Sequence, residues 1–204
     1  MDLLVYNKSR FASYYMNLKH YNYYLVVDLE ATCCDKQAII KQTEMEIIEI
    51  GAVMVHPESL TIIDEFQSFI KPIRHPILTD FCKSLTSISQ TQVDRAPTYP
   101  EAIALLKKWL SPYSNGVFGS WGDFDRKQFQ QDSNFHKLPF PIAYPHVNLK
   151  QLFSDNQGLE KRHGMAQALQ LVGLPLEGTH HRGIDDARNI AKLLPYMLEQ
   201  KQIS

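Results

Sequence analysis

The sequence predicts an α/β fold: a mixed five-stranded sheet with helices on both faces. Three observations lead there. Three strand-like segments follow one another from Tyr23, strand-like and helix-like segments then alternate, and a chain of 204 residues that is 44% hydrophobic can bury the core of a single globular unit.

The elements follow in order. "YYLVVDLEAT", Tyr23 to Thr32, is aromatic, β-branched and apolar until it meets Asp28 and Glu30, which reads as a buried strand whose carboxyl end opens into a polar place. "EIIEIGAVMVHPES" has strand composition and stops at a turn over Pro57 to Ser59. "LTIIDEFQSFIKP" follows with alternating character, the pattern of an antiparallel partner. Short helical patterns with polar caps fill "LTDFCKSLTSISQTQVDRAP", after which Pro97 and Pro100 introduce the helix "EAIALLKKWL". Glycine-flanked "GVFGSWG" is a short buried strand leading into the helix "DFDRKQFQQDS", and "HVNLKQLF" is a last short strand and helix. "GMAQALQLVGL" is a helix closed by Gly173, and "DDARNIAKLLPYMLEQ" is the final one, with Pro195 expected to kink or interrupt it. There is no internal repeat.

Net charge is -1, so the whole molecule exerts no strong field on a polyanion and nucleic-acid affinity would have to come from local patches. Three cysteines, two of them adjacent at Cys33 and Cys34, give neither an even disulfide set nor paired zinc-ligand spacing, which suits a reducing compartment. The tyrosine-rich start, residues 1–22, has neither the basic-then-apolar pattern of a signal peptide nor the length of a separate domain, and no apolar run is long enough to span a membrane. The expectation is a soluble, cytoplasmic protein without a membrane partner.

The chemistry concentrates in acids. Asp28 and Glu30 stand two apart in an extended strand and so aim the same way. Alone, such a pair would simply reach solvent at the strand end. Asp125 at the start of one predicted helix and Asp186 at the start of the final one change that reading. Four acids at element ends, far apart in sequence, are the oxygen donors that two hard divalent ions such as Mg²⁺ or Mn²⁺ require, with room left for water and a phosphate. Helix capping accounts for some of the neighbouring Asp123, Asp125 and Asp185. In "THHRGIDDARNIA", His181 precedes Asp186 by five residues, and a neutral imidazole there could take a proton from an attacking water. His180 is its nearest competitor.

In that order, "DLEAT", "DFDRKQF" and "HRGIDDARNIA" resemble the three motifs of the DEDDh 3′-to-5′ exonucleases, a family with a ribonuclease-H-like fold, over about Tyr23 to Gln200. "EIIEIGAV", "FQSFIKP", "LTDFCKSLTSISQTQVDRA" and "GSWGDFD" resemble segments of the branch that holds the histone-mRNA and small-RNA 3′ exonucleases and the KapD-like proteins. The resemblance implies an exonuclease domain over residues 23–200 behind the tyrosine-rich extension of residues 1–22. It implies that Asp28, Glu30, Asp125 and Asp186 bind two metal ions, with Asp28 bridging them, and that His181 is the general base. The family's histidine stands five residues before the last aspartate, which selects His181 and leaves Asp185 to support the helix start; Arg182 disfavours the subclass with tyrosine at that position.

By the same resemblance Ala31 and Thr32 would hold the terminal nucleotide through their backbone, with Phe81, Leu85, Thr86 and Phe124 around its base and sugar. Arg126, Lys127 and Arg182 would position the strand. The substrate implied is the 3′ end of a single strand, RNA in preference to DNA, released as nucleoside 5′-monophosphates. Three alternatives stand beside this one: a DNA-directed exonuclease of the proofreading or repair kind, an endonuclease cutting inside a duplex, and a non-catalytic regulator that binds a protein on the same fold.

Overall fold

A computed structural model of the chain describes residues 18, 20–35, 39–198 and 200–203. Most of the tyrosine-rich extension, residues 1–17 and 19, lies outside the described residues. Five strands, β1 (Tyr23–Ala31), β2 (Ile47–Val55), β3 (Ile62–Phe69), β4 (Gly116–Ser120) and β5 (His146–Asn148), form one sheet in the order β3-β2-β1-β4-β5. The meander of β1, β2 and β3 is antiparallel, whereas β4 and β5 join β1 in parallel, so the sheet is mixed as the pattern predicts. Helices occupy the connections: α1 (Asp80–Thr86), α2 (Gln90–Asp94), α3 (Tyr99–Leu110), α4 (Phe124–Phe135), α5 (Leu149–Asn156), α6 (Met165–Leu171), α7 (Gly183–Lys192) and α8 (Leu194–Met197).

The strand period divides the core. Leu25, Val27 and Leu29 of β1 face α3 and α4, packing with Tyr99, Leu106 and Phe129. Tyr24 and Val26 face the other way, into a core made with α5 to α8 through Phe153, Leu169, Ile190 and Met197. The sheet is thus covered on both faces, and β2 is buried along its whole length.

Local chemistry fixes the helix ends. Thr79 caps α1 through the Cys82 N–H, Ser89 and Gln92 form a reciprocal capping box on α2, and Thr98 with Glu101 does the same for α3, where Pro100 sits in the first turn with no N–H to satisfy. Gly173, at φ 69°, follows α6 in the left-handed conformation that closes a helix. The final helical pattern divides at Leu193, with Pro195 in the first turn of α8, so the proline interrupts as expected. No helix among the described residues is long and apolar enough to cross a membrane.

Candidate active site

The β1–β4 pairing ends at Val26 opposite Gly119, and β1 continues beyond it. Asp28 and Glu30 therefore stand past the carboxyl end of the parallel pair, where open α/β sheets place their ligands. By the period of two they share the side of Tyr24 and Val26, the side that α7 covers. Two glycines allow that cover to come close. A β-carbon on Gly51 of β2 would lie 2.0 Å from the Gly183 carbonyl carbon, and one on Gly183 would lie 2.9 Å from the Asp28 carbonyl oxygen. With no side chain at either position, the start of α7 rests on the β1–β2 backbone and brings Asp186 to the strand acids. Oxygens of Asp28, Glu30 and Asp186 lie within 4.8 Å of one another.

Asp125 reaches the same place from the first turn of α4. Its Oδ1 accepts the Leu29 N–H at 2.9 Å, next to Ser120 at the end of β4, whose hydroxyl donates to the Gly122 carbonyl. Ser120 is itself 2.8 Å from His146 Nε2. Asp123, the other acid of that segment, is half-exposed and lies 4.0 Å from His146, outside the cluster.

Burial raises the pKa of all four carboxylates, and at Asp28 and Glu30 the neighbouring acids add to it. Burial holds Glu30 at about 8, with Asp186, Glu49 and Asp125 adding repulsion. Asp125 and Asp186 are each pushed up to about 6, again mainly by burial. Asp28 lies well above the ordinary carboxylate range through burial and then the charges of Asp125, Glu30, Asp186 and Glu49. Among the described residues no lysine or arginine pairs with any of the four, and no donor reaches the carboxylates of Asp28 or Glu30. Asp186 Oδ1 is buried without a hydrogen-bond partner. A compact set of hard oxygen donors with one lone pair left idle fits a divalent cation of the Mg²⁺ or Mn²⁺ type.

The histidines border this cluster. The His181 N–H donates to Asp186 Oδ2 at 2.9 Å, from a backbone in the left-handed region at φ 64°. Its ring stacks on His180 with centroids 3.9 Å apart, and His180 Nδ1 is 3.6 Å from Asp186 Oδ2. Burial, and then the neighbouring His180, hold His181 below its ordinary pKa, so its imidazole is neutral at pH 7. Asp185 points elsewhere: it accepts the Thr179 N–H and pairs with Arg188 at 3.0 Å, which supports the helix start.

A cleft of about 480 Å³ opens over the four acids and both histidines, with Trp121, Phe124 and Gln167 also in its lining. Phe124 is exposed. Phe81 and Leu85 stand one turn apart on α1, also exposed, as an apolar face. Ala31 is buried at the end of β1. Thr32 is engaged by Glu46, its N–H donating to the Glu46 carbonyl and its hydroxyl accepting the Glu46 N–H. The buried Thr86 hydroxyl serves the Cys82 carbonyl and the Ile88 N–H.

Arg126 and Lys127 are exposed on α4. Arg182 departs from the expectation that it positions a strand. Its guanidinium is tied to the fully buried Glu49, with Nε 3.1 Å from Oε2, and lies 5.2 Å over the Phe69 ring. Glu49 also accepts the Gly183 N–H and the Gln67 side-chain amide, so it anchors the start of α7 to β2. Sequence reasoning did not single out Glu49, Trp121 or Gln167. The one signal was "EIIEIG", where an acid interrupts an otherwise apolar strand.

Residues 25–194 match the RNase T family model, described as Exonuclease. The chain is 32% identical over 210 residues to the 3′-5′ exonuclease eri1 of Schizosaccharomyces pombe, covering 87% of this chain and 68% of that protein. It is 31% identical over 181 residues to the probable 3′-5′ exonuclease KapD of Bacillus subtilis, covering 89% and 87%. The solved nuclease domain of 3′hExo, described as a DEDDh family member bound to rAMP, superposes with a TM-score of 0.77 at 28% identity over 89% of this chain and 94% of that one. Of the mammalian relatives named exoribonuclease the chain spans little more than half, 53% of one in Mus musculus and 56% of one in Homo sapiens.

Proposed function

The chain belongs to the RNase T exonuclease family, within its DEDDh branch, and from that premise we propose that it removes nucleotides from the 3′ end of single-stranded RNA as nucleoside 5′-monophosphates. The observation that carries this reading is the cluster of Asp28, Glu30, Asp125 and Asp186, with no lysine or arginine partner among the described residues, beneath a cleft bordered by a neutral histidine. The four carboxylates would hold two divalent cations, Mg²⁺ or Mn²⁺. Bound there, the cations would supply Lewis acidity to the attacking water and charge neutralisation to the phosphate and the departing 3′ oxygen.

The chain's own residues do the rest. His181 accepts the proton of the attacking water, a role its depressed pKa suits because the free base predominates at neutral pH. The Asp186 carboxylate fixes the His181 backbone, and Glu49 fixes Arg182 and Gly183 beside it, so the base and the acid cluster move as one body. Phe124, Phe81 and Leu85 supply apolar surface for a base, a contact that tolerates any sequence. Ala31 and Thr32 offer backbone to the terminal nucleotide; with its hydroxyl and N–H engaged, Thr32 has its carbonyl left to do so, while Thr86 braces α1 behind the apolar face. Arg126 and Lys127 are the exposed cations nearest the cleft wall in sequence and would meet the phosphates. The preference for RNA rests on relatives named exoribonucleases and on the rAMP bound to the 3′hExo domain.

The test is digestion of 5′-labelled single-stranded RNA and of the equivalent DNA in Mg²⁺, in Mn²⁺ and in chelator. A ladder descending from the 3′ end, faster on RNA and absent in chelator, is the expected result. Faster digestion of DNA would overturn the substrate assignment, and fragments of mixed length would mark an endonuclease. No cleavage of either polymer with either metal would overturn the enzyme reading and favour a protein-binding regulator.

A further inference from the structure

Two thiols 49 positions apart in the chain meet at the joint between β1 and α1. Cys33 stands two residues beyond the end of β1 and is partly exposed; Cys82 lies in the first turn of α1 and is fully buried. Cys33 packs against the buried cluster that holds Cys82, with the Cys33 thiol donating toward the Cys82 sulfur. The joint is tied twice more, by the Thr79 hydroxyl donating to the Cys33 carbonyl at 2.6 Å and by Cys82 Sγ at 3.7 Å from the Ala31 carbonyl oxygen. Cys34, although adjacent in sequence, turns its sulfur toward the Ile40 carbonyl instead. A free cysteine packed in a core is ordinarily a small hydrophobe. Here the second sulfur and the solvent path to the first one add a different capacity, since a disulfide needs paired cysteines already in near contact on backbones held at the right separation.

We propose that Cys33 and Cys82 form a reversible redox site, oxidised to a disulfide by a peroxide. The Cys33 sulfur, the one open to solvent, passes its proton to the Cys82 sulfur it is hydrogen-bonded to and attacks the peroxide oxygen; the O–O bond breaks, leaving Cys33 as a sulfenic acid and releasing an alkoxide that solvent protonates to the alcohol, or to water from hydrogen peroxide. The Cys82 sulfur then attacks the Cys33 sulfur, the S–O bond breaks, and the departing hydroxide leaves as water with the Cys82 proton. Two thiols lose two electrons and the peroxide gains them; a dithiol reductant returns both. Closing hydrogen-bonded sulfurs to a bond of about 2.05 Å draws the first turn of α1 toward the end of β1. Phe81 adjoins Cys82 and Leu85 lies one turn on, so the apolar face would shift relative to Ala31 and the cleft. That consequence, unlike the disulfide itself, rests on the nuclease reading.

The experiment treats the reduced full chain with hydrogen peroxide, follows intact mass, and maps linked peptides without reductant. The expected result is loss of two hydrogens, a Cys33–Cys82 linked peptide, and reversal by dithiothreitol. Cys33→Ser abolishes it and Cys34→Ser keeps it; Cys33 is partly exposed, so its replacement leaves the fold intact. A Cys33–Cys34 link, or Cys33 driven to sulfinic acid with no link, would overturn the proposal. On labelled RNA the oxidised wild type should lose roughly tenfold to a hundredfold in activity, the scale of a displacement near 1 Å in a binding wall, with recovery in dithiothreitol and no such loss in Cys33→Ser. Equal loss in Cys33→Ser would overturn the coupling to the cleft. A reduced protein inactive on every polymer would refute the nuclease reading while leaving the mapped disulfide to stand or fall by itself.

Discussion

The chain buries acids in two neighbouring regions and treats them in opposite ways. Behind the site, Glu46 accepts three backbone N–H groups, from Ile73, Arg74 and His75, each at 2.8 Å, and Glu49 is met by Arg182, Gly183 and Gln67. In the cleft, Asp28 and Glu30 receive no donor from the described residues, and Asp186 keeps one oxygen idle. The first region costs little in the folded state because every charge removed from water finds a dipole or a guanidinium. The second leaves its burial uncompensated, and the pKa values record it, about 8 for Glu30, where neighbouring acids add repulsion, against about 6 for Asp125 and Asp186. Buried acids with partners in the chain hold the fold; buried acids without them leave oxygens that fit a cation from solution.

That contrast can be broken first at the cleft. Asp28→Asn should lower exonuclease turnover by on the order of 10³-fold or more, the scale of losing one essential group, yet leave the metal-free melting temperature unchanged or higher because one repelling charge is gone. A collapse in melting temperature would place Asp28 with the structural acids.

Glu49→Ala should do the reverse, destabilising the chain by about 3–5 kcal/mol in urea unfolding, since Arg182 is left without its buried partner. A loss within experimental error would show that Glu49 does not anchor α7.

His181→Ala sharpens the comparison within the cleft, because the proposed function gives the imidazole a proton to move and the carboxylates ions to hold. Turnover should fall about 10²–10⁴-fold, with Mn²⁺ affinity nearly retained. Equal losses in both would make His181 a ligand, a role that its position beside His180 and Asp186 also permits.

The smallest effect is the pH dependence of the metal-free chain. An acid whose folded pKa is raised binds more protons folded than unfolded, so stability falls as pH rises through the folded value. Glu30 at about 8 sets the window. Between about pH 7 and about pH 9, above the depressed pKa of His181, the metal-free chain should lose on the order of 1–2 kcal/mol relative to Glu30→Gln, a comparison that cancels the opposite trend of Cys82, lowered to about 7. The same profile in both proteins in chelator would mean that Glu30 titrates as if exposed.

What could be read in the sequence follows the same division. Asp28 and Glu30 interrupt an apolar strand and Asp125 and Asp186 stand at helix starts, so acids at those element ends were legible, whereas the choice of Asp125 over Asp123 and of Asp186 over Asp185 came from the resemblance to the family motifs; the strand order then brings those ends together. Glu49 was not legible as an anchor because its partner lies 133 residues away and a lone acid in a strand has no local signature. The same holds for Gly51 and Gly183, whose close approach is a property of two elements and of neither alone. Arg182 misled for this reason: a cation next to the histidine proposed as base looks free until the glutamate behind it is seen. Adjacency likewise drew attention to Cys33 and Cys34, while the contact in space is between Cys33 and Cys82.

The most direct measurement is thermal unfolding at about pH 8 in chelator and across a Mn²⁺ titration, for the wild type and for Asp28→Asn. A saturable rise in melting temperature with Mn²⁺ in the wild type, lost or strongly weakened in the variant, is what a divalent-cation site built from these carboxylates predicts. No rise in the wild type, or the same rise in both proteins, would contradict it.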